Sequence, residues 1–247
     1  MSMFIADLLA TMMLIWLGDG VVANVLLKHS KGNGGGWIVI TAGWCFAVVM
    51  SGYVGGIFGG ANNPAVPLAF AVLTGEGWGD LPIHFAGTLA GGFVGAVLVW
   101  LQYWSHWAPT EDKGLKLAVF STGPAIRSLG ANFLCEALGT ACLLLCIFGI
   151  GKSFGGATEA AKAVNLSLSN VVYGFMVWSM GLSLGGPTGY AINPARDLGP
   201  RIAHAILPIP GKGDSDWGYS WVPVAGPFAG AVIAAIVWKM ILTVFPG

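Results

Sequence analysis

The sequence predicts an all-α membrane protein with six transmembrane helices and two re-entrant half-helices, arranged as an inverted repeat. Three observations support this fold class: the composition, the lengths of the apolar runs, and a tripeptide that occurs twice. Of 247 residues, 55% are hydrophobic and only 9% are charged, which is typical of a multispanning helical protein. The net charge of zero, with no dense basic cluster, excludes a nucleic-acid partner.

Six apolar runs reach the length of about 20 residues that an α-helix needs to cross a bilayer. In chain order they cover residues 4–27, 37–57, 83–101, 132–150, 166–184 and 222–245. Two shorter apolar stretches begin near residues 63 and 193, each in a connection between spans. Their length and position are typical of re-entrant half-helices.

The repeated tripeptide starts both short stretches. Its two copies are Asn63-Pro64-Ala65 and Asn193-Pro194-Ala195. Asn is a favoured helix N-cap, Pro suits the first helical position, and Ala is the strongest helix former. We therefore expect two half-helices whose positive N-terminal ends face a common site near the middle of the membrane.

Two acidic residues in apolar spans are separated by nearly the same number of positions as the two copies of the tripeptide. Asp7 and Glu136 are 129 positions apart, and Asn63 and Asn193 are 130 positions apart. The chain is therefore predicted to be a duplication, with a first repeat at about 1–105 and a second at about 128–247, within one domain covering 1–247. Three spans per half give the second repeat the opposite orientation in the membrane.

Carboxyl groups inside a membrane span are costly and indicate function. Asp7 and Glu136 have two interpretations: proton relay in an ion-coupled transporter, or acceptance of hydrogen bonds from the exposed backbone of a re-entrant loop. We favour bracing of the loop, because unpaired backbone in a membrane needs partners. Asp19 lies near the far end of the first span, where water or Lys28 can reach it, and the sequence assigns it no role.

Residues 189–201, with the sequence GYAINPARDLGPR, resemble the second signature loop of the major intrinsic proteins, and within them the aquaglyceroporins or glycerol facilitators. Asp7 and Glu136 match the paired helix carboxylates of that family, and Asp197, directly after Arg196, resembles its glycerol-conducting branch. The resemblance covers nearly the whole chain. It implies six tilted helices and two half-helices meeting at the Asn-Pro-Ala turns, assembled as a homotetramer in a lipid bilayer with one pore per subunit.

The resemblance also implies which residues form the pore. The selectivity filter falls on Trp44, Gly181, Tyr190 and Arg196. Two aromatic walls can face the carbon edge of a polyol while the guanidinium hydrogen-bonds its hydroxyls. Water-selective relatives carry His at the helix position of Gly181, so its absence favours a wider pore. A ladder of carbonyl acceptors is implied at Gly59, Gly60, Ala61, Gly189, Tyr190 and Ala191, with Asn63 and Asn193 donating at the centre.

Four positions depart from the family pattern. In the first signature, Ala61 stands where His is usual, Asn62 where Leu or Ile is common, and Pro67 where Thr is common. We expect the inner half of the pore to be wider as a result of these first-loop differences. Replacing Ala61 by His should narrow it again. Tyr190 stands where Phe is typical, and its hydroxyl can narrow the filter or add a hydrogen bond.

The predicted function is passive conduction of glycerol and other small neutral solutes, water included. Alternatives are a channel mainly for dihydroxyacetone, urea, hydrogen peroxide or an undissociated small organic acid, and, in another class, an ion-coupled secondary transporter. The sequence contains no nucleophile with its base, no metal-ligand cluster and no cofactor motif, so no enzyme is predicted. The family places both termini in the cytoplasm and the protein in the plasma membrane, although the lysine distribution opposes the positive-inside rule.

Overall fold

The structure is a computed structural model that describes residues 2–154 and 159–245, with side chains described except at 159–167. These residues form nine α-helices and no strand. In chain order the helices are α1 (Ser2–Leu26), α2 (Gly36–Val54), α3 (Ala65–Thr74), α4 (Leu81–Gln102), α5 (Lys113–Phe120), α6 (Leu129–Ser153), α7 (Glu159–Leu184), α8 (Pro194–Ile206) and α9 (Val222–Val244).

The predicted spans coincide with the long helices. Among the described residues, α1, α2 with its following turn, α4, α6 and α9 are long and apolar enough to cross a membrane. The fifth predicted span, residues 166–184, falls in α7, which is apolar over Leu168–Leu184; the side chains of residues 166 and 167 lie outside the described ones. Except at the start of α7, the predicted boundaries agree with the helix ends within three residues. The predicted fold class is confirmed.

Helix packing follows the same order in both halves. The first helix of each half packs on the last, α1 on α4 and α6 on α9, and α2 meets α7 between the halves. Glycine makes the closest approaches possible. A Cβ added to Gly87 of α4 would lie 2.8 Å from Asp7 Cβ, and one added to Gly226 of α9 would lie 2.7 Å from Glu136 Cβ. Glycine on the facing helix therefore allows the close helix approach at Asp7 and at Glu136.

The two half-helices exchange partners between the halves. α3 packs on α9, and α8 packs on α4. The Asn193 side chain caps α8 by accepting hydrogen bonds from the N–H groups of Ala195 (3.0 Å) and Arg196 (3.2 Å). α3 begins one residue further into its tripeptide, at Ala65, whose N–H still donates to Asn63 Oδ1 at 3.0 Å. With 10 and 13 residues, both helices are too short to span a bilayer.

The end of α8 away from its capping Asn193 is held by a lysine from the following loop. Lys212 Nζ donates to the carbonyl oxygens of His204 (2.6 Å), Ala205 (2.7 Å) and Leu207 (2.7 Å). A cation at a helix C-terminus interacts favourably with the helix dipole and satisfies its last carbonyls. Burial of the amine lowers the pKa of Lys212.

Candidate functional site

A cavity of about 310 Å³ lies between the two halves, where the half-helices meet. Apolar side chains of the long helices form much of its wall, including Leu14, Val48, Leu143 and Val177. Of the residues singled out from the sequence, those that line it are Trp44, Gly60, Ala61, Asn63, Tyr190, Ala191, Asn193 and Arg196. Gly59, Gly181 and Gly189 are outside this lining, as are the Pro and Ala of both tripeptides.

The two tripeptide asparagines meet at the centre and bond reciprocally across the halves. Asn63 Nδ2 donates to the carbonyl oxygen of Ile192 at 2.8 Å, and Asn193 Nδ2 donates to that of Asn62 at 2.8 Å. Because each Oδ1 caps its own half-helix, each amide group is oriented with its NH₂ away from the helix. Each NH₂ carries two hydrogens, so one N–H per asparagine remains for a molecule in the cavity.

The carboxylates of Asp7 and Glu136 bind the backbone that precedes the half-helices. Asp7 Oδ1 accepts from the N–H of Ala61 at 2.6 Å. Glu136 accepts from the N–H groups of Ala191 at 3.1 Å and Ile192 at 2.8 Å. Neither carboxylate lines the cavity. Sequence reasoning missed a further partner, His84 of α4, whose Nδ1 lies 2.8 Å from Asp7 Oδ2.

Left-handed backbone explains how one carboxylate reaches two successive N–H groups. Tyr190 and Ile192 have φ values of 42° and 43°, which side-chain-bearing residues rarely adopt, and Gly189 has φ 83°. Such strain persists only where the surroundings enforce it, and it concentrates at functional sites. Here the charged hydrogen bonds to Glu136 hold the segment in place.

Trp44, Tyr190 and Arg196 all line the cavity, and we refer to this group as the predicted filter, because the resemblance implies a selectivity filter at these positions. The Arg196 Cζ atom lies 4.4 Å from the centroid of the Trp44 ring. Tyr190 packs edge-on against Trp37 at 5.7 Å between ring centroids, and Trp37 Nε1 donates to the carbonyl oxygen of Gly181 at 2.9 Å. Trp37 was missed because its role depends on a contact between α2 and α7 that local sequence does not reveal.

Gly181 lies behind the filter. A Cβ added there would be 2.9 Å from both Cζ and Oη of Tyr190 and 2.8 Å from Thr41 Cγ2. The space that glycine provides is thus taken up by the Tyr190 ring. Gly18 of α1 has the same relation to Trp44, whose ring occupies the position that a Cβ would need. Both aromatic walls of the filter therefore rest on glycine.

Asp197 belongs to a buried network next to the filter. Its carboxylate accepts from Arg201 Nε at 2.7 Å and Nη2 at 3.0 Å, and from both the N–H and the hydroxyl of Thr122 at 2.7 Å. Arg201 and Asp197 are both fully buried. The network joins α8 to the segment that follows α5.

Asp19, to which the sequence assigned no role, lies beside the filter. Its carboxylate is fully buried, with Oδ1 3.8 Å from Nη1 of Arg196. The expected access of water or Lys28 is therefore wrong. The cost of a carboxyl group in an apolar helix marked Asp19 in the sequence, but its partner lies 177 positions away and no pattern connects them.

The cavity is also lined by polar side chains to which the sequence analysis assigned no role in the pore. Asn62 Nδ2 donates to Ser51 Oγ at 2.7 Å, and Asn170 and Tyr173 of α7 complete this wall. Ala61, in place of the family's usual His, lines the same region. These groups can donate to and accept from a hydroxylated or hydrated solute.

Known proteins resemble this chain over nearly its whole length. The chain is 55% identical over 240 residues to a probable glycerol uptake facilitator protein of Thermotoga maritima, covering 97% of this chain and 99% of the relative. It is 46% identical to the glycerol uptake facilitator protein of Bacillus subtilis, covering 97% and 84%. The X-ray structure of the aquaglyceroporin from Plasmodium falciparum superposes with a TM-score of 0.83 at 29% identity, covering 99% and 97%.

The family model described as major intrinsic protein matches residues 1–238. The match spans all the elements that build the cavity, from α1 to most of α9. This chain therefore belongs to the major intrinsic protein family and is an integral membrane protein.

Proposed function

We propose that the protein is a passive transmembrane channel for glycerol and other small neutral solutes, water included. The observation that carries the proposal is the reciprocal pairing of Asn63 with Ile192 and of Asn193 with Asn62 at the centre of the cavity. It leaves two fixed N–H donors at the point where both half-helices begin. Relatives named as glycerol uptake facilitators support glycerol as the solute.

The chemistry of the walls matches a polyol. An aromatic and aliphatic side, with Trp44, Tyr190 and Val48, can face the carbon chain, while Arg196 and the asparagine amides face the hydroxyls. A solute crossing the cavity exchanges water for these partners in steps, so the cost of desolvation is offset along the path.

Charge keeps ions out of the proposed channel. Arg196 and the N-terminal ends of α3 and α8 present positive potential to the cavity, so cations and protons meet a barrier while neutral solutes do not. An anion would have to lose its hydration in a cavity whose walls are largely apolar, which is costly.

Asp7 and Glu136 act in this proposal as braces for the pore-lining backbone. They bond to main-chain N–H groups and lie outside the cavity lining, which suits bracing and does not suit proton relay along a transport path. The proposal therefore gives no role to the ion-coupled mechanism.

We further propose a homotetramer in the plasma membrane, with both termini in the cytoplasm and two repeats, about 1–105 and 128–247, forming one channel domain. Large apolar side chains are exposed along the long helices, among them Phe46, Phe175, Ile236 and Met240. Such surfaces need lipid or neighbouring subunits to cover them.

The test is stopped-flow light scattering on proteoliposomes under glycerol and water gradients. The native chain is compared with Arg196→Ala, with empty liposomes, and with Arg127→Ala, the same substitution at an exposed arginine. We expect rapid glycerol entry by the native chain and by Arg127→Ala. Arg196→Ala is expected to admit cations that the native chain excludes. Fast water flux without glycerol flux would refute the assignment of glycerol, and no flux of either would refute the channel.

A further inference from the structure

Asp19 is the intramembrane acid that the proposed mechanism does not use. Its side chain is fully buried in α1, and neither carboxylate oxygen has a hydrogen-bond partner among the described residues. A buried carboxylate without partners is expensive, so a compensating interaction is expected nearby. The nearest cationic group is the Arg196 guanidinium, with Nη1 at 3.8 Å.

Arg196 lacks a partner on the same side. Its Nη1 atom is buried and has no hydrogen-bond partner in the described part of the chain. The two other buried acids close to the filter already accept hydrogen bonds from other groups. Asp197 accepts them from Arg201 and Thr122, and Glu136 accepts them from the backbone before α8. Asp19 is therefore left as the counter-charge for Arg196.

The neighbouring residue of α1 positions the other side of the guanidinium. Gly18 leaves the space in which the Trp44 ring lies, and Arg196 is placed over that ring at 4.4 Å. Gly18 thus makes room for the Trp44 ring, and Asp19 lies next to the Arg196 guanidinium. Neither Gly18 nor Asp19 lines the cavity.

We propose that Asp19 is a positioning residue for Arg196, whose carboxylate draws the guanidinium back against α1 and so keeps the filter open to a polyol. The inference rests on the proposed function of the cavity and adds a determinant of its selectivity. At 3.8 Å the attraction is Coulombic, since the distance exceeds that of a hydrogen bond. It therefore depends on the charge of Asp19, whereas the shape of the side chain matters little.

Asp19→Asn tests this, because it keeps the shape and removes the charge. Nη1 already lacks a hydrogen-bond acceptor, so without the attraction nothing holds the guanidinium against α1, and it gains hydrogen bonds by turning towards the polar groups that line the cavity. The filter then narrows. We expect the ratio of glycerol to water permeability to fall about three- to tenfold, the factor that corresponds to one net hydrogen bond. A purely structural role would lower yield or stability and leave this ratio unchanged.

The matched control is Gly20→Ala, in the same turn of α1, where an added Cβ meets nothing within 4 Å. It should keep the native ratio. In the Arg196→Ala background, Asp19→Asn should cause no further change in the ratio, because the group it positions is gone. The same double variant should be more stable than Arg196→Ala alone, in which Asp19 is buried without a counter-charge.

An unchanged ratio in Asp19→Asn, or an equal fall of the ratio in both backgrounds, would overturn the proposal. A thermal-unfolding cycle over the native chain, the two single variants Asp19→Asn and Arg196→Ala, and their double variant keeps the test independent of the solute. Non-additive unfolding temperatures would support the Asp19–Arg196 pair even if the native chain conducted no glycerol, whereas additive values would refute it. Failure of the positioning role is thereby distinguished from failure of the glycerol assignment.

Discussion

Replacing Gly181 by alanine should close the filter by displacing the Tyr190 ring. The new Cβ would lie 2.9 Å from Tyr190 Cζ and Oη and 2.8 Å from Thr41 Cγ2, whereas ordinary contact begins at 3.4 Å. The ring end must therefore retreat by about 0.5 Å. No hydrogen bond restrains it, because the buried hydroxyl of Tyr190 has no partner among the described residues.

The free direction for the ring is towards the cavity, where Arg196 and Trp44 form the other sides of the filter. Overpacking of this kind costs about 1–3 kcal/mol. If only about 1 kcal/mol of it appears in the barrier for a polyol, glycerol permeability falls roughly fivefold. Water is smaller than glycerol and should be slowed less.

Stopped-flow measurements of glycerol and water entry into proteoliposomes test this, normalised to the amount of protein. Gly186→Ala is the matched control, because a Cβ there meets nothing within 4 Å. Adding Tyr190→Phe to Gly181→Ala removes one of the close contacts and should restore part of the glycerol flux. The reasoning would be refuted by an unchanged glycerol-to-water ratio in Gly181→Ala, or by equal slowing of both solutes.

Two further predictions concern the inner half of the cavity and the network beside the filter. Ala61→His should fill part of the cavity near Asn62 and slow glycerol more than water in a liposome swelling assay; equal slowing would count against it. Asp197→Asn leaves Arg201 buried without its counter-charge, which costs about 3–5 kcal/mol, so thermal unfolding in detergent should occur at a clearly lower temperature. The exposed Asp80→Asn is the control, and similar unfolding temperatures for the two variants would exclude an important pairing of Asp197 with Arg201.

The helices and the two half-helices could be predicted from the sequence because their signals are local. Apolar runs of sufficient length locate the spans, and Asn followed by Pro and Ala marks a helix start wherever it occurs. The matching separations of Asp7 from Glu136 and of Asn63 from Asn193 indicated the duplication. None of these signals requires knowledge of which helices touch.

The parts that could not be predicted depend on contacts between distant segments. Asp19 was conspicuous as an acid in an apolar helix, but Lys28 was nearer in sequence than Arg196, and only packing of α1 beside α8 decides between them. The Tyr190 ring fills the space beside Gly181 because the left-handed backbone of Tyr190 directs this ring towards α7. Side-chain chemistry alone does not specify that conformation.

The most direct test of the central claim is the rate of glycerol entry into proteoliposomes as a function of glycerol concentration, with and without imposed proton and sodium gradients. In a pore whose central donors are Asn63 and Asn193, the rate of glycerol entry should rise linearly with glycerol concentration. The rate should be the same with and without the proton and sodium gradients. Saturation of the rate, or acceleration by an ion gradient, would contradict the account and indicate a carrier.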